Sequence, residues 1–86
     1  MDNKIICDID LFGSTNCYVL NNGKYESTGK TLTSINEVCY LLENLMMSSE
    51  LKNIHLFGAE AYVNQMIETL KVRNLFNFNE ISFEVN

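Results

Sequence analysis

Asn22-Gly23 stands between two stretches of alternating apolar and polar residues, and no other pair in the chain restricts its fold so tightly. Both residues tolerate φ > 0, as a type I′ turn requires, so the flanking segments must run antiparallel as a hairpin. A two-residue turn there sets Val19 opposite Glu26 and Cys17 opposite Thr28. Gly13-Ser14 supplies a second signal upstream, suited to a type II′ turn. It predicts a first strand from Ile5 to Leu11, with Asp8 opposite Val19, Asp10 opposite Cys17 and Phe12 opposite Thr15. The chain is expected to begin as a three-stranded meander.

Ser34-Ile35-Asn36-Glu37 then reads as a capping box, in which serine accepts from the amide of Glu37 and the glutamate reaches back to the amide of Ser34. Ile35, Val38, Cys39, Leu42, Leu45 and Met46 follow helical spacing from that cap, and the pattern fades at Ser48-Ser49. Asn53 to Phe57 alternates as a short strand ending at Gly58. A second helix begins near Ala59, its stripe formed by Ala59, Val63, Met66, Ile67 and Leu70, with Lys71 and Arg73 toward the negative end of the dipole. Ile81, Phe83 and Val85 alternate with Glu80, Ser82 and Glu84 as a last strand. The order is βββαβαβ, an α/β chain. Right-handed crossovers give a mixed five-stranded sheet in the order 3-2-1-4-5, with both helices on one face.

Taking both turns as two-residue turns sorts the side chains between faces. Cys7, Ile9, Leu11, Tyr18, Leu20 and Tyr25, continued by Ile54, Leu56, Ile81, Phe83 and Val85, are expected beneath the helices. Asp8, Asp10, Cys17, Val19, Glu26 and Thr28, continued by His55, Phe57, Ser82 and Glu84, are expected on an uncovered face that collects four carboxylates and the single histidine.

Length and charge limit what such a face can meet. The 86 residues are enough for a single domain spanning 1–86 with one small core. A net charge of −5 argues against direct contact with nucleic acid or an anionic membrane, both of which call for basic patches. The start of the chain lacks the pattern of a signal peptide and no apolar run is long enough to span a bilayer, so a cytoplasmic protein is expected, in the host cytoplasm if phage-encoded. Cys7, Cys17 and Cys39 are odd in number and form no C-x-x-C spacing, which reads as reduced, buried thiols rather than a disulfide framework or a zinc site.

Asp8 and Asp10 fall on the same face of one strand about 7 Å apart, from the ~3.3 Å rise per residue, with His55 nearby; such groups can ligate a divalent metal or act as acid and base. The bland alternative is a solvated acidic face that discourages aggregation. Gly23 to Thr31 approaches a P-loop, but five residues rather than four separate Gly23 from Gly29, and the segment follows a hairpin turn.

The element order and a first-hairpin aspartate resemble the ribonuclease H-like superfold. Asp10-Leu11-Phe12-Gly13-Ser14-Thr15-Asn16 resembles the first phosphate motif of the related actin-like and sugar-kinase ATPases, with Phe12 where that motif has glycine. By the same resemblance, Asp10, Glu37 or Glu43, and Glu60 would correspond to nuclease carboxylates.

The function expected from all this is a small acidic non-enzymatic interaction or inhibitor protein of phage or mobile-element type, needing no cofactor and no metal. Asp8, Asp10, Glu26, His55, Phe57 and Glu84 are its expected partner-binding residues. The partner would be a protein, such as a basic nucleic-acid-binding protein whose groove the carboxylates block by imitating phosphates, or a second copy of the chain. The alternatives are a metal-dependent nuclease or phosphate-binding fragment built on Asp10, and a homodimeric structural module.

Overall fold

The computed structural model describes residues 4–48, 51–75 and 80–86. Met1 to Asn3, at the start of the chain where the signal-peptide pattern is lacking, and Ser49, where the first helical pattern fades, lie outside them. The elements are β1 (Lys4–Ile9), β2 (Thr15–Asn21), β3 (Lys24–Ser27), α1 (Ile35–Ser48), β4 (Asn53–Gly58), α2 (Glu60–Val72) and β5 (Ile81–Val85). They form one five-stranded sheet in the order β3-β2-β1-β4-β5. β1 pairs antiparallel with β2 and parallel with β4; β2 and β3 are antiparallel, β4 and β5 parallel.

The Asn22-Gly23 turn forms as the residues dictate, with φ of 54° and 79°, and pairs Val19 with Glu26 as expected. The first hairpin does not. Cys7 lies opposite Cys17, Asp8 opposite Asn16 and Ile9 opposite Thr15, a register displaced by three residues from the one read off Gly13-Ser14. A type I turn over Asp10-Leu11-Phe12-Gly13 replaces the two-residue turn: the Gly13 amide donates to the Asp10 carbonyl (3.2 Å), and Gly13 takes φ 87°. The Asp10 amide then donates to the Ser14 carbonyl (2.9 Å), closing a three-residue loop with a left-handed glycine at its end.

Because side chains alternate with a period of two, an odd displacement turns every β2 and β3 residue to the opposite face. Cys17 is buried beneath the helices, with Val19 half-buried there, whereas Tyr18 and Leu20 are half-buried and Tyr25 exposed on the other side. Leu11, expected inside, sits in the loop and is 77% exposed. On the edge strand β5, Phe83 and Val85 keep the expected face but are exposed.

The core is made by Ile5, Cys7, Ile9, Cys17, Ile54 and Leu56 from the sheet, Val38, Cys39 and Leu42 from α1, and Val63, Met66, Ile67 and Leu70 from α2. Each large side chain so buried contributes about 1.5–3 kcal/mol, enough to dominate the tenths of a kcal/mol in helix propensity. Ser34 caps α1 through the Glu37 amide (3.2 Å), while the Glu37 carboxylate reaches the amide of Thr33 (3.0 Å) rather than that of Ser34. Arg73, at the end of α2, ties the helices together by donating to Asn36 Oδ1 (2.9 Å) and pairing with Glu43 (3.5 Å). Among the described residues no helix is long and apolar enough to cross a membrane.

Gly58 closes β4 beside Ile9, with φ 141°. A Cβ there would overlap the Ile9 carbonyl oxygen, which accepts from the Ala59 amide. Gly58→Ala therefore combines a backbone conformation closed to L side chains with a collision against main chain. We expect a loss of about 3–5 kcal/mol in urea denaturation, a large share of the stability of a domain this small. A loss below about 1 kcal/mol would show that the strand end relaxes easily.

Candidate functional site

The sheet has one face under α1 and α2 and one that no described residue covers. On β1 the covered residues Ile5, Cys7 and Ile9 are buried, while Ile6 is half-buried and Asp8 exposed between them. β4 repeats the alternation, with Ile54 and Leu56 buried, His55 half-buried and Phe57 exposed. The ladder aligns Ile6 with His55 and Tyr18, and Asp8 with Phe57 and Asn16. It continues from Tyr18 to Ser27, from Leu20 to Tyr25, from His55 to Ser82 and from Phe57 to Glu84. The uncovered face therefore carries Ile6, Tyr18, Leu20, Tyr25 and Phe57, interspersed with Lys4, Asp8, His55 and Glu84.

Of the six residues expected to bind a partner, four share this face: Asp8, His55, Phe57 and Glu84. Two do not. Asp10 belongs to the turn, where its Oδ1 accepts from the amides of Phe12 (2.8 Å) and Ser14 (3.0 Å). Glu26 is exposed on the helix side of β3, opposite Val19 and 3.5 Å from the Asn21 side-chain amide. The four-carboxylate face thus reduces to Asp8 and Glu84, for the same reason that the first hairpin changed register.

His55 is held by the neighbouring strand. Its Nδ1 is 2.7 Å from Ser82 Oγ, and Nε2 is 3.7 Å from Glu84 Oε1. Ser82 Oγ also points toward the Ile54 carbonyl, at 3.5 Å. With that hydroxyl donating to Ile54, the imidazole Nδ1–H donates to Ser82, which ties the ring to β5. Phe57, not His55, stands beside Asp8 in the ladder.

The carboxylates matched by resemblance to nuclease positions are engaged separately. Asp10 is in the first turn, Glu37 caps α1, Glu43 pairs with Arg73, and Glu60 lies in the first turn of α2. Among the described residues no three His, Cys, Asp or Glu side chains converge as a metal-holding group. At the same end of the sheet, Gly13 lies against the Tyr62 ring, and Phe12, Ser34, Asn36 and Gln65 line an open groove between the helices.

Tyr18, Leu20 and Tyr25 were missed as face residues, and Ile6, which alternation on β1 places beside Asp8, was passed over; for the first three the hairpin register decides the face. The signal that could have found them is Asp10-x-x-Gly13, since aspartate at the first and glycine at the fourth position favour a type I turn. No protein-family model matches the chain, and neither a curated protein nor a solved structure matches it.

If Asp10 serves the turn, Asp10→Ala should lower stability by about 1–2 kcal/mol, because two amides lose a charged acceptor, and Asp10→Asn should lose less. Urea denaturation of both variants checks this. A chain stabilised by Asp10→Ala would mean that the carboxylate is strained in place for another purpose.

Proposed function

We propose that this chain is a small non-enzymatic docking protein whose working surface is the uncovered face of the sheet and whose partner is another protein. One observation carries the proposal: Ile6, Tyr18, Leu20, Tyr25 and Phe57 are brought together, with Asp8 and Glu84 flanking Phe57, on the side opposite both helices. Protein interfaces are enriched in aromatic residues, and this face carries three of them, Tyr18, Tyr25 and Phe57. The net charge of −5 favours approach to a basic partner, and a basic nucleic-acid-binding protein remains the specific form of that idea. With Asp10 and Glu26 elsewhere, affinity would come from the aromatic band, and the carboxylates would steer and align.

Size sets the strength. Five strands spaced about 4.8 Å apart and roughly 20 Å long offer a planar area of roughly 400 Å². A standard interface buries about 800 Å² per partner. The face alone suits a transient complex, and a tighter one would also engage the outer edge of β5, the last strand of the sheet. The element order supports reading the fold as an abbreviated ribonuclease H-like sheet, used as a scaffold. A nuclease built on Asp10 draws no comparable support, because that carboxylate already holds the turn.

Capture experiments with two double variants test the proposal. Tyr25→Asp with Phe57→Asp alters the uncovered face; Met47→Asp with Val72→Asp alters exposed apolar residues on the helices. The face variant should weaken binding of a captured protein at least about tenfold, roughly 1.4 kcal/mol, and the helix variant should leave it unchanged. Loss confined to the helix variant would move the working surface to the helices. Light scattering across a concentration series identifies a second copy of the chain as the occupant if mass rises in the wild type and not in the face variant.

A further inference from the structure

Cys7 on β1 and Cys17 on β2 are directly opposite in the antiparallel ladder, and their sulfurs are 3.1 Å apart. Both side chains are buried, at 0% and 1% exposure. Backbone hydrogen bonding defines the kind of pair they make. The Asp10 amide bonds to the Ser14 carbonyl, and antiparallel pairs alternate between bonded and non-bonded, so Asp8–Asn16 is bonded while Ile9–Thr15 and Cys7–Cys17 are not. Cys17 agrees from its other side, since its carbonyl accepts from the Thr28 amide (3.0 Å) and therefore points toward β3. In a non-bonded pair the Cα atoms approach to about 4.5 Å, within the span that a disulfide bridges. Cys39, on α1 near Arg73 and Glu43, belongs to a different part of the core.

We propose that Cys7 and Cys17 form a dithiol site for reversible oxidation, converted by a low-molecular-weight disulfide into a cross-strand bridge between β1 and β2. One cysteine thiolate attacks a sulfur of the small disulfide, forming a mixed disulfide and releasing one small thiol. The second cysteine thiolate attacks the protein sulfur of that mixed disulfide, forming the Cys7–Cys17 bond and releasing the other small thiol. Two electrons pass from the protein to the small disulfide, and the two cysteine protons balance the two thiols released.

The closed fold protects the pair. The hydrogen bond to Cys17, together with burial, holds the Cys7 thiol protonated well above the ordinary thiol range, and the reactive species is the thiolate. Exchange therefore proceeds through opening of the first hairpin or during folding, and the bridge, once made, locks the register that decides which residues reach the uncovered face. The site does not depend on the docking function and stands or fails separately.

The full chain, refolded from denaturant in a buffer of reduced and oxidised glutathione, exposes the thiols and then lets the fold choose among them. After alkylation and peptide mapping, we expect one intrachain bridge joining Cys7 to Cys17, with Cys39 as the alkylated thiol. Dithiothreitol should restore all three alkylatable thiols. Cys39→Ser should form the same bridge, and Cys17→Ser should form none at Cys7. Three alkylated thiols in the folded product, a bridge to Cys39, or glutathione retained on Cys7 or Cys17 would overturn the proposal. Because Cys39→Ser leaves the pair intact, the proposal is decided even if Cys17→Ser fails to fold.

Discussion

The carboxylate of Asp10, accepting from the amides of Phe12 and Ser14, holds the turn on which the arrangement of the sheet depends. With Gly13 in a left-handed conformation at its end, this turn makes the first loop three residues long. Loop length sets the β1–β2 register, and register sets which side of β2 faces the helices. The Asn22-Gly23 turn carries the choice on to β3. A local hydrogen-bonding preference thus decides that Cys17 is packed in the core while Tyr18 and Tyr25 face away from the helices.

The second organising constraint is the asymmetry of the layers. Both parallel connections, through α1 and α2, cross on the same side, so a single core forms between the helices and one face of the sheet. Close approach of backbone at Gly58 and Ile9 brings the end of β4 and the start of α2 against β1. Arg73, bonded to Asn36 and Glu43, fastens the other end of α2 to α1. The price of this economy is a partly aromatic sheet surface that no described residue covers, and the proposed docking function rests on it.

Helix positions were legible because each carries a local signal. Ser34 with Glu37 marks the start of α1, and the spacing of Val63, Met66, Ile67 and Leu70 marks the buried side of α2. Strand order was legible because few right-handed, uncrossed connections remain for βββαβαβ. The candidate face was legible only where it is carried by β1, β4 and β5, which place Asp8, His55, Phe57 and Glu84 as expected. It failed at Asp10 and Glu26 because Gly13 suits two turns, one as its first central residue and another as its left-handed end. Alternation cannot choose between them when Cys17 and Val19 are as apolar as Tyr18 and Leu20.

Sequence alone determined the element types, the sheet order and the second hairpin, since these follow from backbone restrictions and periodicities that each segment carries within itself. Tertiary structure decided the register of the first hairpin and everything that depends on it: the aromatic band on the uncovered face, the removal of two carboxylates from that face, and the meeting of Cys7 with Cys17. These are relations between strands. No spacing along the chain encodes them until a turn of definite length brings the strands side by side.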